Sequence, residues 1–119
     1  MSAKVLIFSD IEGASCVNDY RQIAPFWGSG YEDCIRAITS DVNSAIRGIK
    51  RAGDASIEIF DGHGDGGNLR QEMIASGAVI VKKDVASLAM SDYDAVFFIG
   101  QHACAGTGDG FSPGLGTAF

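Results

Sequence analysis

Lys4-Val5-Leu6-Ile7-Phe8-Ser9-Asp10-Ile11-Glu12-Gly13 is an apolar run that stops at two carboxylates one residue apart. Val5 to Phe8 shows no alternation of apolar and polar residues, so it reads as a short strand buried on both faces, as in parallel sheets. Open sheets of that kind bind ligands in the crevice beyond the carboxyl ends of their strands. Asp10 and Glu12 fall there. Two carboxylates held together repel, so either one is protonated or a cation sits between them. We favour a metal ion; the competing reading has Asp10 capping a turn and Glu12 in solvent.

Outward from this stretch, Ile35, Ile38, Val42, Ala45, Ile46 and Ile49 recur at three- and four-residue spacing. That pattern predicts an amphipathic helix from about Glu32 to Ala52. Arg47, Lys50 and Arg51 suit the negative end of its dipole, and Gly53 suits its close. A second strand, Ala55 to Phe60, follows, and a right-handed crossover would set its end beside Asp10. There the chain reads Asp61-Gly62-His63-Gly64-Asp65-Gly66-Gly67-Asn68, which turns His63 toward the same crevice. Residues 14–30, with Pro25, Trp27, Gly28 and Gly30, read as a long loop holding a short helical turn, where Asp19, Tyr20 and Arg21 could meet a ligand. Leu69 to Ser76 reads as a short helix closed by Gly77, Ala78 to Val81 as a third strand, and Val85 to Met90 as a helical turn. Asp94 to Gly100 is the most hydrophobic run and reads as a central buried strand, delivering Gln101-His102-Ala103 to the same edge. The expectation is one α/β domain over residues 1–119: three layers, a mostly parallel sheet with covering helices, and a metal site at the carboxyl ends of the strands.

Composition narrows the function. The chain of 119 residues has a net charge of -6, and its nine basic residues are scattered. Nucleic-acid binding through a phosphate-neutralising surface needs clustered Lys and Arg, so it is not expected. No apolar stretch approaches a membrane span and no signal peptide is evident, which reads as a soluble, cytoplasmic protein. Cys16, Cys34 and Cys104 form no zinc-finger spacing and are an odd set, so they read as reduced thiols. Cys104, two residues after His102, has a second reading as nucleophile or soft ligand.

The two histidines of the chain and the Asp-x-Glu pair each follow a separate predicted strand. Carboxylates with imidazoles suit zinc, manganese, cobalt or iron better than calcium or magnesium. A bridging carboxylate suits two ions about 3.5–4 Å apart, and the chemistry natural to such a pair is hydrolysis. The glycine-rich loop after the second strand lacks the lysine and spacing of a phosphate loop. A nucleotide- or phosphate-binding domain using Gly62 to Gly67 at a helix N-terminus stays open as a third reading.

Phe8-Ser9-Asp10-Ile11-Glu12-Gly13, Thr39-Ser40-Asp41-Val42-Asn43, Asp61-Gly62-His63-Gly64 with Asn68-Leu69, and Ile99-Gly100-Gln101-His102-Ala103 resemble, in order and spacing, the successive motifs of the D-aminopeptidases of peptidase family M55. The resemblance implies a zinc aminopeptidase that removes N-terminal residues, D-amino acids among them, from short peptides, within an oligomeric assembly. It implies two zinc ions per site, Asp10 bridging them, and Glu12, His63 and His102 as further metal ligands. A hydroxide shared by the metals would attack the scissile carbonyl, with a metal acting as Lewis acid on its oxygen. Asp61, two residues before His63, would orient a ligand from behind, or simply form a turn.

The departures from the family pattern also carry information. Family chains continue into a further glutamate ligand and a second portion, and some members place a proposed catalytic histidine beyond the one matching His102. This sequence has no histidine after His102, and its tail from Gly106 to Phe119 is glycine-rich. Asp109 or Ser112 could substitute, with nothing favouring either, so the catalytic residue stays unassigned. The chain therefore reads as the N-terminal part of a longer or split metallopeptidase, with a homo-oligomer or a second chain supplying the missing half. The alternative is a non-catalytic, half-site metal-binding domain that needs a partner chain.

Overall fold

A computed structural model describes residues 2–111; Ser112 and the rest of the tail read above lie outside the described residues. Strand β1 spans Ala3–Ser9, helix α1 Ser29–Ala52, and strands β2, β3 and β4 span Ala55–Asp61, Ala78–Ile80 and Ala95–Ile99. The sheet order is β3-β2-β1-β4 and every pairing is parallel. This is the expected parallel α/β architecture. The chain steps one way across the sheet from β1 to β3, then returns to place β4 on the other side of β1. That reversal is a topological switch point, and ligands bind at the carboxyl ends of the strands there.

Alternation along β1 and β2 divides the sheet into two faces. Val5, Ile7, Ile57 and Ile59 pack against Cys34, Ile38, Val42 and Ile46 of α1 in one buried cluster. Fully burying each of these aliphatic side chains stabilises by roughly 1.5–3 kcal/mol. Truncating Ile46 to valine is expected to cost about 1 kcal/mol, read as a lower urea midpoint at unchanged slope. α1 begins three residues before the predicted start, because Gly28 at φ 62 turns the chain into it and accepts from Glu32 N. Gly53 ends it in extended backbone at φ 163 rather than in a left-handed cap.

The other face carries Phe8, whose ring centroid lies 4.9 Å from Phe60 and 5.6 Å from Phe98. Among the described residues no α-helix covers this face, so of the two helical layers expected one is present. The helix predicted over Leu69 to Ser76 is a single 3-10 turn, Gln71–Met73. Side chains take the backbone groups that would have propagated it: Asn43 binds Met73 O and Ala75 N, and Gln71 binds Ala78 O and Ile80 N. Val85 to Met90 likewise yields one 3-10 turn, Val85–Ser87, followed by another at Met90–Asp92. The long loop holds two more, Tyr20–Gln22 and Pro25–Trp27, and Asp19 and Arg21 pair with each other at 2.6 Å.

β4 is not central. Its neighbour is β1 alone, it lies at the sheet edge among the described residues, and Phe97 and Phe98 are 43% and 61% exposed. The helix packs on β1 and β2, leaving Ala95, Phe97 and Phe98 of β4 exposed and Val96 and Ile99 half-buried. No helix of the described residues is long and apolar enough to cross a membrane.

Candidate metal centre

Three strand ends build the site. The tip of β1 is pinned from both sides: Gly62 N donates to Ser9 O at 2.8 Å, while Asp10 N donates to Ile99 O and Gly13 N to Gly100 O, each at 2.9 Å. Gly13 fits because a Cβ there would lie 2.1 Å from the Gln101 carbonyl oxygen. Asp41 of α1 accepts from Ser15 N at 2.8 Å and so fastens the turn after Glu12 to the helix. These bonds hold Asp10 and Glu12 inside the protein, at 7% and 3% exposure.

His63, from the loop after β2, reaches across to both acids. Its Nδ1 lies 3.1 Å from Asp10 Oδ1 and 3.0 Å from Glu12 Oε1, and Asp10, Glu12 and His63 can each offer a ligand atom within 4.8 Å of the others. Its Nε2 lies 2.8 Å from Ile23 O. Both ring nitrogens thus face acceptors, so this arrangement calls for the doubly protonated imidazolium. Burial opposes that charge, but hydrogen bonds to the two carboxylates outweigh it and raise the His63 pKa to about 10. Burial likewise works against the Asp10 carboxylate, yet the His63 ring and the Ile11 amide hold its pKa below the usual value.

His102, after β4, meets the other oxygen of Asp10: its Nε2 lies 3.6 Å from Oδ2, and its Nδ1 lies 2.7 Å from Ala103 O. Of the four expected ligand residues, Asp10, Glu12 and His63 converge, and His102 approaches the far oxygen of Asp10. Do they suit a metal? Glu12 Oε2 is buried and has no hydrogen-bond partner. An orphaned carboxylate oxygen inside a protein is costly, and a divalent cation held by two acids and imidazole would satisfy it. The donor set fits zinc.

Asp61 is placed differently from the expectation that it orients a ligand directly. Its carboxylate accepts from Asn68 N, Asn68 Nδ2 and Leu69 N at 2.7, 3.0 and 2.8 Å, while the outer nitrogen of the His63 ring is taken by the Ile23 carbonyl. Neither Ile23 nor Tyr31, which donates to Asn68 Oδ1 at 2.5 Å, was marked by any motif. A backbone carbonyl leaves no sequence signal, and Tyr31 looks like the first residue of a helix. Burial pushes the Cys34 thiol up to about 11, which keeps it an inert thiol. The site opens into a cavity of about 1490 Å³ whose lining also includes Phe8, Phe60 and Phe98.

The family model described as D-aminopeptidase, Peptidase_M55, matches residues 3–112. The chain belongs to peptidase family M55. Among solved structures, this M55 chain is similar to the Zn-dependent D-aminopeptidase DppA from Bacillus subtilis, described as a self-compartmentalizing protease, with a TM-score of 0.77 at 24% identity. The match covers 87% of this chain and 39% of that one, so the M55 chain spans well under half the length of the solved relative. No curated protein matches it.

Proposed function

We propose that this M55 chain carries the metal-binding part of a zinc-dependent aminopeptidase that releases N-terminal residues, D-residues included, from short peptides. The observation that carries the reading is the disposition of the two imidazoles about Asp10. Each histidine has one ring nitrogen on a backbone carbonyl and the other toward a separate oxygen of Asp10. Metal-bound imidazoles commonly have such a backing partner, which fixes the tautomer and leaves the inner nitrogen for the ion. Asp10, as the shared ligand, together with Glu12, His63 and His102 would hold two zinc ions. Zinc bound there would supply a Lewis acid for the scissile carbonyl and an activated water.

The chain's own groups do the rest. Buried carboxylates favour a cationic peptide amino end at the site, and the aromatic wall of Phe8, Phe60 and Phe98 offers an apolar surface to the residues beyond it. A further polypeptide, from a second portion or a neighbouring subunit, would complete the site against β4. Ala95-Val96-Phe97-Phe98-Ile99 is composed like a strand buried on both faces, yet it stands exposed at an edge. The phosphate-binding reading loses its support, because the Gly62 to Gly67 loop leads into a single 3-10 turn and not a helix N-terminus.

Zinc titrated into metal-free protein is expected to raise the unfolding free energy, by about 2.7 kcal/mol at one hundred times Kd. A nucleotide at the same excess should leave it unchanged. Stabilisation by the nucleotide and none by zinc would overturn the proposal. Release of the first residue from di- and tripeptides of either chirality, with zinc present, then reads the substrate preference.

A further inference from the structure

His63 stands in Gly62-His63-Gly64-Asp65-Gly66-Gly67, where four of six residues are glycine. Gly64, Gly66 and Gly67 sit at φ 56, 82 and 75. Such a loop has large conformational freedom and, beyond His63 and Asp65, no side chains with which to hold one shape. Yet the ring of His63 is aimed at two carboxylates. What fixes it lies just outside the loop.

Asn68 is buried, at 5% exposure. Its Nδ2 donates to His63 O at 2.7 Å and to Asp61 Oδ1 at 3.0 Å, and its Oδ1 accepts from Tyr31 Oη at 2.5 Å. Its backbone N donates to Asp61 Oδ2 at 2.7 Å. The amide orientation is unambiguous, since a carboxylate and a carbonyl both require the nitrogen and the phenol can supply its proton to the oxygen. Asn68, just past the loop, thus ties the residues at its start, Asp61 and His63, to the first turn of α1. Arg70 reinforces the junction by a two-pronged pair with Glu32 at 2.7 and 3.1 Å.

We propose that Asn68 is a positioning residue for the metal centre: it locks the His63 backbone between Asp61 and Tyr31 and so sets where the imidazole meets Asp10 and Glu12. The inference rests on the zinc reading for its consequence, but not for its geometry. Asp61 acts on His63 through Asn68, which gives the orienting role expected of that aspartate a physical route. Asparagine suits the place because one planar amide supplies two donors and an acceptor at once. Aspartate would lose both donors and set a second carboxylate against Asp61. Alanine would leave the His63 carbonyl with the Gly66 amide alone, at 3.0 Å.

The test compares Asn68→Ala with Asn43→Ala, an equally structural asparagine whose side chain ties α1 to Met73 and Ala75 at 2.9 and 2.8 Å. Three readouts are taken on each: zinc affinity by competition with a chromophoric chelator, the absorption spectrum of the cobalt-loaded protein, and the His63 ring proton by NMR in metal-free protein. Asn68→Ala is expected to weaken zinc binding about 10–100-fold, change the cobalt spectrum and lose the hydrogen-bonded ring proton. Asn43→Ala should lower thermal stability while leaving all three readouts at their parental values. Tyr31→Phe, which removes one hydroxyl, should move zinc affinity the same way by on the order of threefold, and it keeps the question open to measurement if Asn68→Ala fails to fold. Unchanged zinc affinity and ring proton in folded Asn68→Ala, or in Tyr31→Phe if that variant alone folds, would overturn the proposal. A parent that binds no zinc while Asn68→Ala still loses the ring proton would defeat the zinc reading and leave the positioning role standing.

Discussion

Asp10→Asn is expected to lose most of its zinc. In the parent, each oxygen of Asp10 faces a different imidazole, at 3.1 and 3.6 Å. Asparagine keeps the shape, and through its own oxygen it can still accept from Ile11 N, as Asp10 does at 2.8 Å. It removes the negative charge and puts an NH2 group, which cannot bind a metal, in place of the oxygen that faces one histidine. Loss of a partner that merely backs a ligand weakens metal binding by about 10–100-fold, and loss of the proposed shared ligand itself should exceed that. Elemental mass spectrometry on protein purified without added metal should find near two zinc ions per parent chain, as the proposed two-ion site requires, and far less in the variant. Equal zinc in both proteins would show that the ions bind elsewhere.

How far could the centre be read from the sequence? The strands that carry it were legible because β1 is a continuous apolar run and β2 alternates Ile57 and Ile59 with polar residues, both ending in polar sequence, and α1 because its isoleucines keep helical spacing. Asp10, Glu12, His63 and His102 could then be assigned to one edge, since parallel strands share the direction of their carboxyl ends. The candidate ligands at the strand ends were visible; what stands behind them was not. Ile23 and Ala103 back the two imidazoles through carbonyl oxygens, which any residue at those positions would offer. Asn68 lay inside a quoted motif, yet its role depends on Tyr31, thirty-seven residues earlier in the chain.

Two misreadings share a cause. The Leu69 to Ser76 pattern suited a helix, but Asn43 and Gln71 hold its backbone in another shape through bonds that no local propensity anticipates. The Asp94 to Gly100 run has the composition of a central strand, and the sheet order puts it at an edge. Periodicity reports what a segment is suited to bury, whereas its neighbours decide what covers it. For β4, the composition suits burial on both faces, which no element among the described residues supplies.

Gly100→Ala is expected to destabilise the fold severely and to disturb the metal centre with it. Gly100 ends β4 at φ +77, and a Cβ placed there would lie 2.3 Å from Asp10 O and 2.8 Å from Ile38 Cδ1. The isoleucine tip can shift; the carbonyl cannot, because it belongs to the backbone that presents the Asp10 carboxylate, and Gly100 O itself accepts from Gly13 N at 2.9 Å. Left-handed backbone costs an alanine roughly 1–2 kcal/mol, and forced overpacking adds about 1–3 kcal/mol. Together these predict a loss of about 3 kcal/mol in denaturant unfolding. Gly67→Ala separates the two contributions, since Gly67 has φ +75 but nothing within 4 Å of its would-be Cβ. It should lose only about 1–2 kcal/mol, the left-handed contribution alone. Equal losses in the two variants would mean that β4 yields freely at its end, and that the strand tip does not hold Asp10 in place. A larger loss for Gly100→Ala, accompanied by weaker zinc binding in the protein that still folds, would show that the close approach of β4 to β1 holds the sheet and the metal centre in register together.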